Sequence, residues 1–372
     1  MSARAGSRRR TFLVGAVATV AAGVLLAVLG VASGLYNVAA SVDHFRITNV
    51  VLEFALRRSV DFHSRDVTVP DDLDDPDLAR LGARHFATGC AFCHGAPGAS
   101  RLPVTGGMYP PPPPLGDAAA KWDDSHLYWI VRHGLKFTGM PQWPGEGRDS
   151  EVWPLVAFLK TLPEMTSADY RDAVGLPAES APAGDQPAVG CTSCHGDGSR
   201  PPVADLVPPL HGQNEAYLAR ALREYAEDRR QSGMMEPIAA GLAEDEILSL
   251  AREFAASQAP NTLRDNAEID PASLARGEKI ARQGLQEQNV AACMSCHAGE
   301  KSSNYPRLEG LSTAYIRQQL ELFRSGARRG SPYGRTMTAI AEHLDDTQIA
   351  DVAAYLASTA VDDILAETEA AR

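Results

Sequence analysis

The chain has 372 residues, of which 44% are apolar, 6% aromatic and 22% charged, and its formal charge is −12. That length accommodates two or three domains, and an acidic balance argues against a nucleic-acid partner, which selects basic surfaces. All six cysteines lie in three strings of one form, so none is left over for a disulfide, a zinc site or a catalytic nucleophile.

The chain starts MSARAGSRRR and then runs from Thr11 to Val42 without a charged residue. This run exceeds the ~20 residues that span a bilayer and the roughly 7–15 of a cleavable signal's apolar core. Arg4, Arg8, Arg9 and Arg10 precede it, which predicts a cytoplasmic N-terminus with everything after the span outside. Residues 1–42 are therefore read as a cytoplasmic tip and transmembrane anchor. The competing reading is a signal peptide cleaved after Ala40. Setting those four arginines aside, the external remainder carries −16, a charge that steers towards basic patches on a partner.

Residues 43–73 read as an amphipathic stalk. Ile47, Val50, Val51, Phe54 and Ala55 recur at helical spacing, while Arg46, Glu53, Arg57 and Arg58 fall largely elsewhere. Two placements stay open: on the membrane surface or a partner subunit, or packed on the domain that follows.

Residues 74–165 form the first expected domain. The helical stretch DPDLARLGARHFATG leads into CAFCH (Cys90, Cys93, His94), the run Pro110–Pro114 makes a stiff extended loop, and SEVWPLVAFLKTL closes the unit as a helix. Residues 166–188 are rich in Ala, Pro, Gly and Asp without apolar periodicity, and read as a linker. A second domain, 189–258, carries CTSCH (Cys191, Cys194, His195). A third, 259–372 with a C-terminal tail, carries CMSCH (Cys293, Cys296, His297).

The last two domains are an internal repeat. Cys191, His195, Met235 and Leu242 reappear 102 residues later as Cys293, His297, Met337 and Leu344; Pro208, Leu210, Gly212, Tyr217 and Leu222 reappear 98 residues later as Pro306, Leu308, Gly310, Tyr315 and Leu320. Only the third domain has a helical lead, PASLARGEKIARQG. The second has AESAPAGDQPAVG in its place, too rich in Pro and Gly for a full helix. The second domain is thus expected to lean on a neighbour to cover the exposed side of its site.

C-x-x-C-H is the attachment pattern of c-type haem: two thiols add across the two vinyl groups of one porphyrin, and the next imidazole lands beneath the iron. A redox C-x-x-C pair needs no trailing histidine, and three strings that consume every cysteine do not arise by chance. Three covalently bound haems are expected.

With these motifs in view, the three units resemble class I c-type cytochromes, small helical domains with one haem each. Units two and three, residues 190–358, look most like two-domain dihaem cytochromes of bacterial respiration. Unit one resembles cytochrome domains with a G-M-P turn, here FTGMPQW. The resemblance implies a mainly α chain: an N-terminal transmembrane helix followed by three class I cytochrome c domains. It also implies iron held between each histidine and a downstream methionine, for which Met140, Met235 and Met337 lie 46, 40 and 40 residues beyond their histidines. Met108 is a rival in unit one. Met234 neighbours Met235, but only Met235 keeps the repeat's register. Met165 and Met294 are read as packing. The family's prolyl carbonyl behind the proximal imidazole falls to Pro208 and Pro306, and with less support to Pro113. His85, His133 and His211 are read as structural or exposed.

A His/Met iron has no open position for a substrate, and no catalytic constellation appears elsewhere. The expectation is an electron carrier, not an enzyme. It would be a membrane-anchored trihaem relay on the periplasmic face of a bacterial cytoplasmic membrane, fed by a quinol-oxidising complex or a dehydrogenase and drained by a terminal oxidase or another cytochrome. Alternatives are the cytochrome subunit of a membrane-bound dehydrogenase complex and, further off, a haem peroxidase or sensor.

Overall fold

The computed structural model describes residues 2–35, 37–175, 190–197, 199–257, 270–298, 303–308 and 310–370, without the side chains of 2–11 and 359–370. Among them regular structure is helical, with no strand.

Helix α1 (Ser2–Ala32) contains the apolar stretch Phe12–Ala32, whose 21 residues, at a mean hydropathy of 2.6, are long and apolar enough to cross a membrane. The uncharged run predicted to 42 thus outlasts its helix, which ends where Ser33 and Gly34 turn the chain. Helix α2 (Arg46–His63) confirms the amphipathic stretch. Its C-terminal half packs on unit one: Val60 is buried, and His63 stacks on Trp129 at 5.8 Å. Its N-terminal half leaves Ile47, Val50, Val51 and Phe54 exposed.

Unit one follows with α3 (Pro76–Gly89), α4 (Ala91–His94), α5 (Leu115–Ala119), α6 (Asp124–His133), α7 (Val152–Thr161) and α8 (Ser167–Val174). Helix α3 starts where Asp75 accepts a hydrogen bond from the Asp77 amide at 2.9 Å and Pro76 fills the first turn. It crosses α7 at Gly82, where any Cβ would collide with the Pro154 carbonyl. Phe86, Leu155 and Phe158 fill the core between them.

Helix α8 corrects the linker reading of 166–188. Thr166 and Asp169 form a capping box, and Tyr170 and Val174 are buried against the core of unit one. Residues 176–188 lie outside the described residues.

Unit two has α9 (Cys191–His195), α10 (Glu215–Ala226), α11 (Met235–Ala240) and α12 (Glu244–Ala256), around a small core of Leu218, Ile247, Ala251 and Phe254. Unit three has α13 (Pro271–Gln283), α14 (Met294–His297), α15 (Thr313–Arg324), α16 (Pro332–Ala341) and α17 (Asp346–Ala370). Helix α13 repeats the start of α3, with Asp270 capping and Pro271 in the first turn. It also repeats the crossing: a Cβ on Gly277 would strike the Asp351 carbonyl of α17.

Unit two leans on unit one as anticipated. Leu81 of α3 packs with Val203 and Ala204 beside Cys194.

Candidate functional site

Each C-x-x-C-H string folds as a single helical turn (α4, α9 and α14), which brings its thiols and imidazole to one edge. The Nδ1 of His94 lies 2.8 Å from the Pro113 carbonyl oxygen, that of His195 2.7 Å from Pro208 O, and that of His297 2.9 Å from Pro306 O. A carbonyl only accepts, so Nδ1 donates and the Nε2 lone pair is left for a metal. Burial pushes His94 and His195 below the ordinary imidazole value, against the raising effect of those same carbonyls, which keeps both rings neutral. In the chain before attachment, burial raises the Cys90 thiol to about 12 and the Cys293 thiol to about 11.

A single cavity of about 550 Å³ joins the sites of units two and three. Cys191, Cys194, His195 and Met235 line one end; Cys293, Cys296, His297 and Met337 line the other. Apolar side chains such as Leu218, Phe254, Ile316 and Val352 supply its walls. Arg230 and Arg328, themselves 98 residues apart in the repeat, also reach it, and Arg230 is 5% exposed. Among the described residues neither has a carboxylate partner. Arg230 meets the Tyr217 and Tyr315 hydroxyls, at 3.4 Å each, and lies 4.5 Å over the Tyr225 ring, while Arg328 donates to Gln319. Burial and the nearby Arg230 push Arg328 below the ordinary guanidinium value. One buried and one half-buried cation without an anion call for one, and the propionates of a porphyrin would supply that charge. Paired thiols, a neutral imidazole with Nε2 free, an apolar slot and these two cations together fit haem. The sequence reading missed these arginines, although the 98-residue repeat marks them.

Of the two methionines in unit two, Met234 packs against the core of unit one, while Met235 opens α11. Met337 lies within α16, which Ser331 caps by accepting from the Gly334 amide at 3.1 Å. In unit one, Met140 sits in a turn closed by Leu135 N to Met140 O at 3.2 Å and Met140 N to Thr138 Oγ1 at 3.1 Å. Met108 lies over the adjacent Gly139. Met165 and Met294 pack against the cores of their own units.

His211 and His133 are engaged otherwise. His211 meets Ser257 Oγ at 2.7 Å and Gly196 O at 3.2 Å, and His133 packs on Trp129. His85 of α3 is buried on the cavity wall, where burial lowers it to about 4.

Comparison with known proteins bears on the same residues. Residues 77–159 match the family model of cytochrome c oxidase, cbb3-type, subunit III, and residues 274–360 match that of cytochrome c. The chain is 35% identical over 192 residues to cytochrome c-552 of Acidithiobacillus ferridurans, covering 50% of this chain and 80% of that one. It is 35% identical over 180 residues to cytochrome c4 of Thiocapsa roseopersicina, covering 47% and 90%. It is 33% identical over 178 residues to a thiosulfate dehydrogenase electron acceptor of Thiomonas intermedia, covering 46% and 79%. The solved cytochrome c4 of Acidithiobacillus ferrooxidans shares 34% identity over 45% of this chain and 97% of its own, at a TM-score of 0.40. The attachment strings and relatives matched over most of their own length lead to one assignment: this chain belongs to the cytochrome c family, as an electron carrier that binds haem c covalently.

Proposed function

We propose that the chain is a membrane-anchored trihaem relay, with one haem on each C-x-x-C-H string and the relay on the outer face of the cytoplasmic membrane. The observation that carries this reading is the threefold recurrence of one arrangement, an imidazole whose Nδ1 is bound to a prolyl carbonyl behind its own pair of thiols. Haem supplies a one-electron change of iron between two oxidation states; the chain's own residues hold, orient and shield it. Met140, Met235 and Met337 are the residues that would hold the iron together with the three histidines, and a thioether there would favour ferrous iron and raise the potential. The cavity shared by units two and three brings two sites to one space, which favours transfer between them. Phe12–Ala32 holds the relay at the membrane.

A pyridine haemochrome assay against protein concentration tests the count: a ratio near three supports the relay, and a ratio near two removes one string from it. N-terminal sequencing of protein from native membranes tests the anchor; a start near Ser41 would make this a soluble carrier. As partners we propose a quinol-oxidising complex or dehydrogenase as donor and a terminal oxidase or another cytochrome as acceptor. A second reading, the cytochrome subunit of a dehydrogenase complex, is favoured by the relatives that bear the name thiosulfate dehydrogenase electron acceptor. Identifying the complex that co-purifies from native membranes separates the two.

A further inference from the structure

Unit one reaches into the methionine loop of unit two through one buried carboxylate. Glu151, 8% exposed, sits where α7 begins and saturates both of its oxygens. Its Oε1 accepts from Arg148 Nε at 2.9 Å and from the Ser232 hydroxyl at 2.7 Å. Its Oε2 accepts from the Gly233 amide at 2.7 Å and, at 3.4 Å, from the Trp143 indole. Ser232 is 2% exposed. With its only proton committed to Glu151, its oxygen turns its lone pairs to the Met235 amide at 3.1 Å and the Met234 amide at 3.3 Å. The Ser232 amide in turn donates to Glu236 at 2.6 Å, closing the first turn of α11. Gly233 must be glycine, because a Cβ there would overlap the Trp143 ring.

We infer that Glu151 of unit one, acting through Ser232, is a positioning residue for Met235 and so sets how firmly that thioether holds the iron of unit two. This rests on Met235 as the distal ligand of unit two. Three features carry it. The contact crosses between units and ends, after one intervening hydroxyl, on the backbone of the ligand itself. Glu151, Ser232 and Gly233 are buried, where a hydrogen bond to a charged acceptor is strong and a lost one is costly. And Ser232 caps α11 as Ser331 caps α16, each accepting from the amide three residues on, but Ser232 also gives its proton to Glu151 of unit one. The cap of α11 is therefore oriented from outside its unit. Docking of unit one and distal ligation in unit two become one event.

The test uses the full-length haem-loaded protein and reads two quantities: the near-infrared Met–Fe(III) charge-transfer band, and the rate at which imidazole displaces a ligand from ferric haem. Met235→Ala is the reference and should remove about one third of the band, one haem in three. Glu151→Gln keeps the shape but turns an NH2 towards groups that donate; with Ser232→Ala it should speed imidazole entry at one haem by about tenfold or more, the scale of losing a group that orients a metal ligand. Ser232→Thr, which keeps the hydroxyl, should restore the parent rate. Gln231→Ala is the docking control, because Gln231 accepts from the Glu146 amide at 2.8 Å across the same interface without touching Met235; it should exchange like the parent. If Gln231→Ala matches Glu151→Gln, docking alone is responsible and the positioning role is overturned. Parent-like rates in both Glu151→Gln and Ser232→Ala overturn it equally. If Glu151→Gln does not accumulate, Ser232→Ala against Ser232→Thr decides. A full band in Met235→Ala would instead refute the ligand assignment, a separate outcome.

Discussion

Units two and three descend from one pattern, yet they are completed differently. In α17 of unit three, residues 351–357 are buried on all sides, because α13 covers the face that α15 does not. In α12 of unit two, Leu248, Ser249, Arg252 and Glu253 stay exposed while Ile247, Ala251 and Phe254 are buried. Asp351, which binds Arg276 and Ser273 of α13, has Ser249 as its counterpart. Unit three closes on itself. Unit two leaves that face of α12 open and gains contacts with unit one elsewhere, through Leu81 of α3 on Val203 and Ala204 and through Glu151 on Ser232. A repeat can thus keep its site and give up part of its scaffold when a neighbour stands close enough to add contacts elsewhere.

The strongest way to break this comparison is Arg148→Met. Arg148 and Glu151 are both 9% exposed in their side chains, and stranding a buried carboxylate costs about 3–5 kcal/mol. The loss should appear in unit two as well as unit one, read as faster hydrogen exchange in α11. A variant that loosens unit one alone would show that the units are independent. Leu81→Ala comes next: a buried leucine truncated to alanine costs about 2–5 kcal/mol, and proteolysis within 190–257 should accelerate while α13 and α17 keep their protection.

Acid should separate the two copies. The Arg276 guanidinium and the Ser273 hydroxyl hold Asp351 below its ordinary value of 3.8, with burial opposing them. Its contribution is present above about pH 3.8 and fades as pH falls through the lower folded value. As pH falls below about 3.8, protection in α13 and α17 should fall. Asp351→Asn should flatten that slope and leave α12 unchanged. The smallest effect should be common to both copies. Glu244 and Asp346, equivalent positions at the starts of α12 and α17, pair with Arg223 and Arg324 at the surface. Exposed pairs of this kind contribute little, so Glu244→Gln and Asp346→Asn should give equal, near-negligible shifts in Tm. Unequal shifts would mean that these helix starts are not equivalent.

What the sequence disclosed was whatever chemistry forces into a local pattern. Thioether attachment needs two thiols and an imidazole within five residues, so all three strings could be read directly. The family resemblance pointed to Pro208 and Pro306, which the repeat aligns, and the Pro113 contact, to which it pointed with less support, is present as well. Helix α8 escaped because its two apolar anchors, Tyr170 and Val174, are too few to show a period; its capping box, Thr166 with Asp169, was the readable signal. The bond from Glu151 to Ser232 spans 81 residues and leaves no trace in either neighbourhood. A buried carboxylate looks like any other glutamate until its partners are in place.

The contact that Leu81 makes beside Cys194 also bears on the order of events during biosynthesis. Unit one leaves the ribosome first and can fold before the thiols of unit two emerge. Once its α3 settles over Val203 and Ala204, one side of Cys194 is covered, so the porphyrin of unit two would attach more readily while that stretch is still an open chain. Cys296 of unit three remains exposed and carries no such constraint. Slow haem supply should therefore leave the middle string empty more often than the last, although the last is the last to be made.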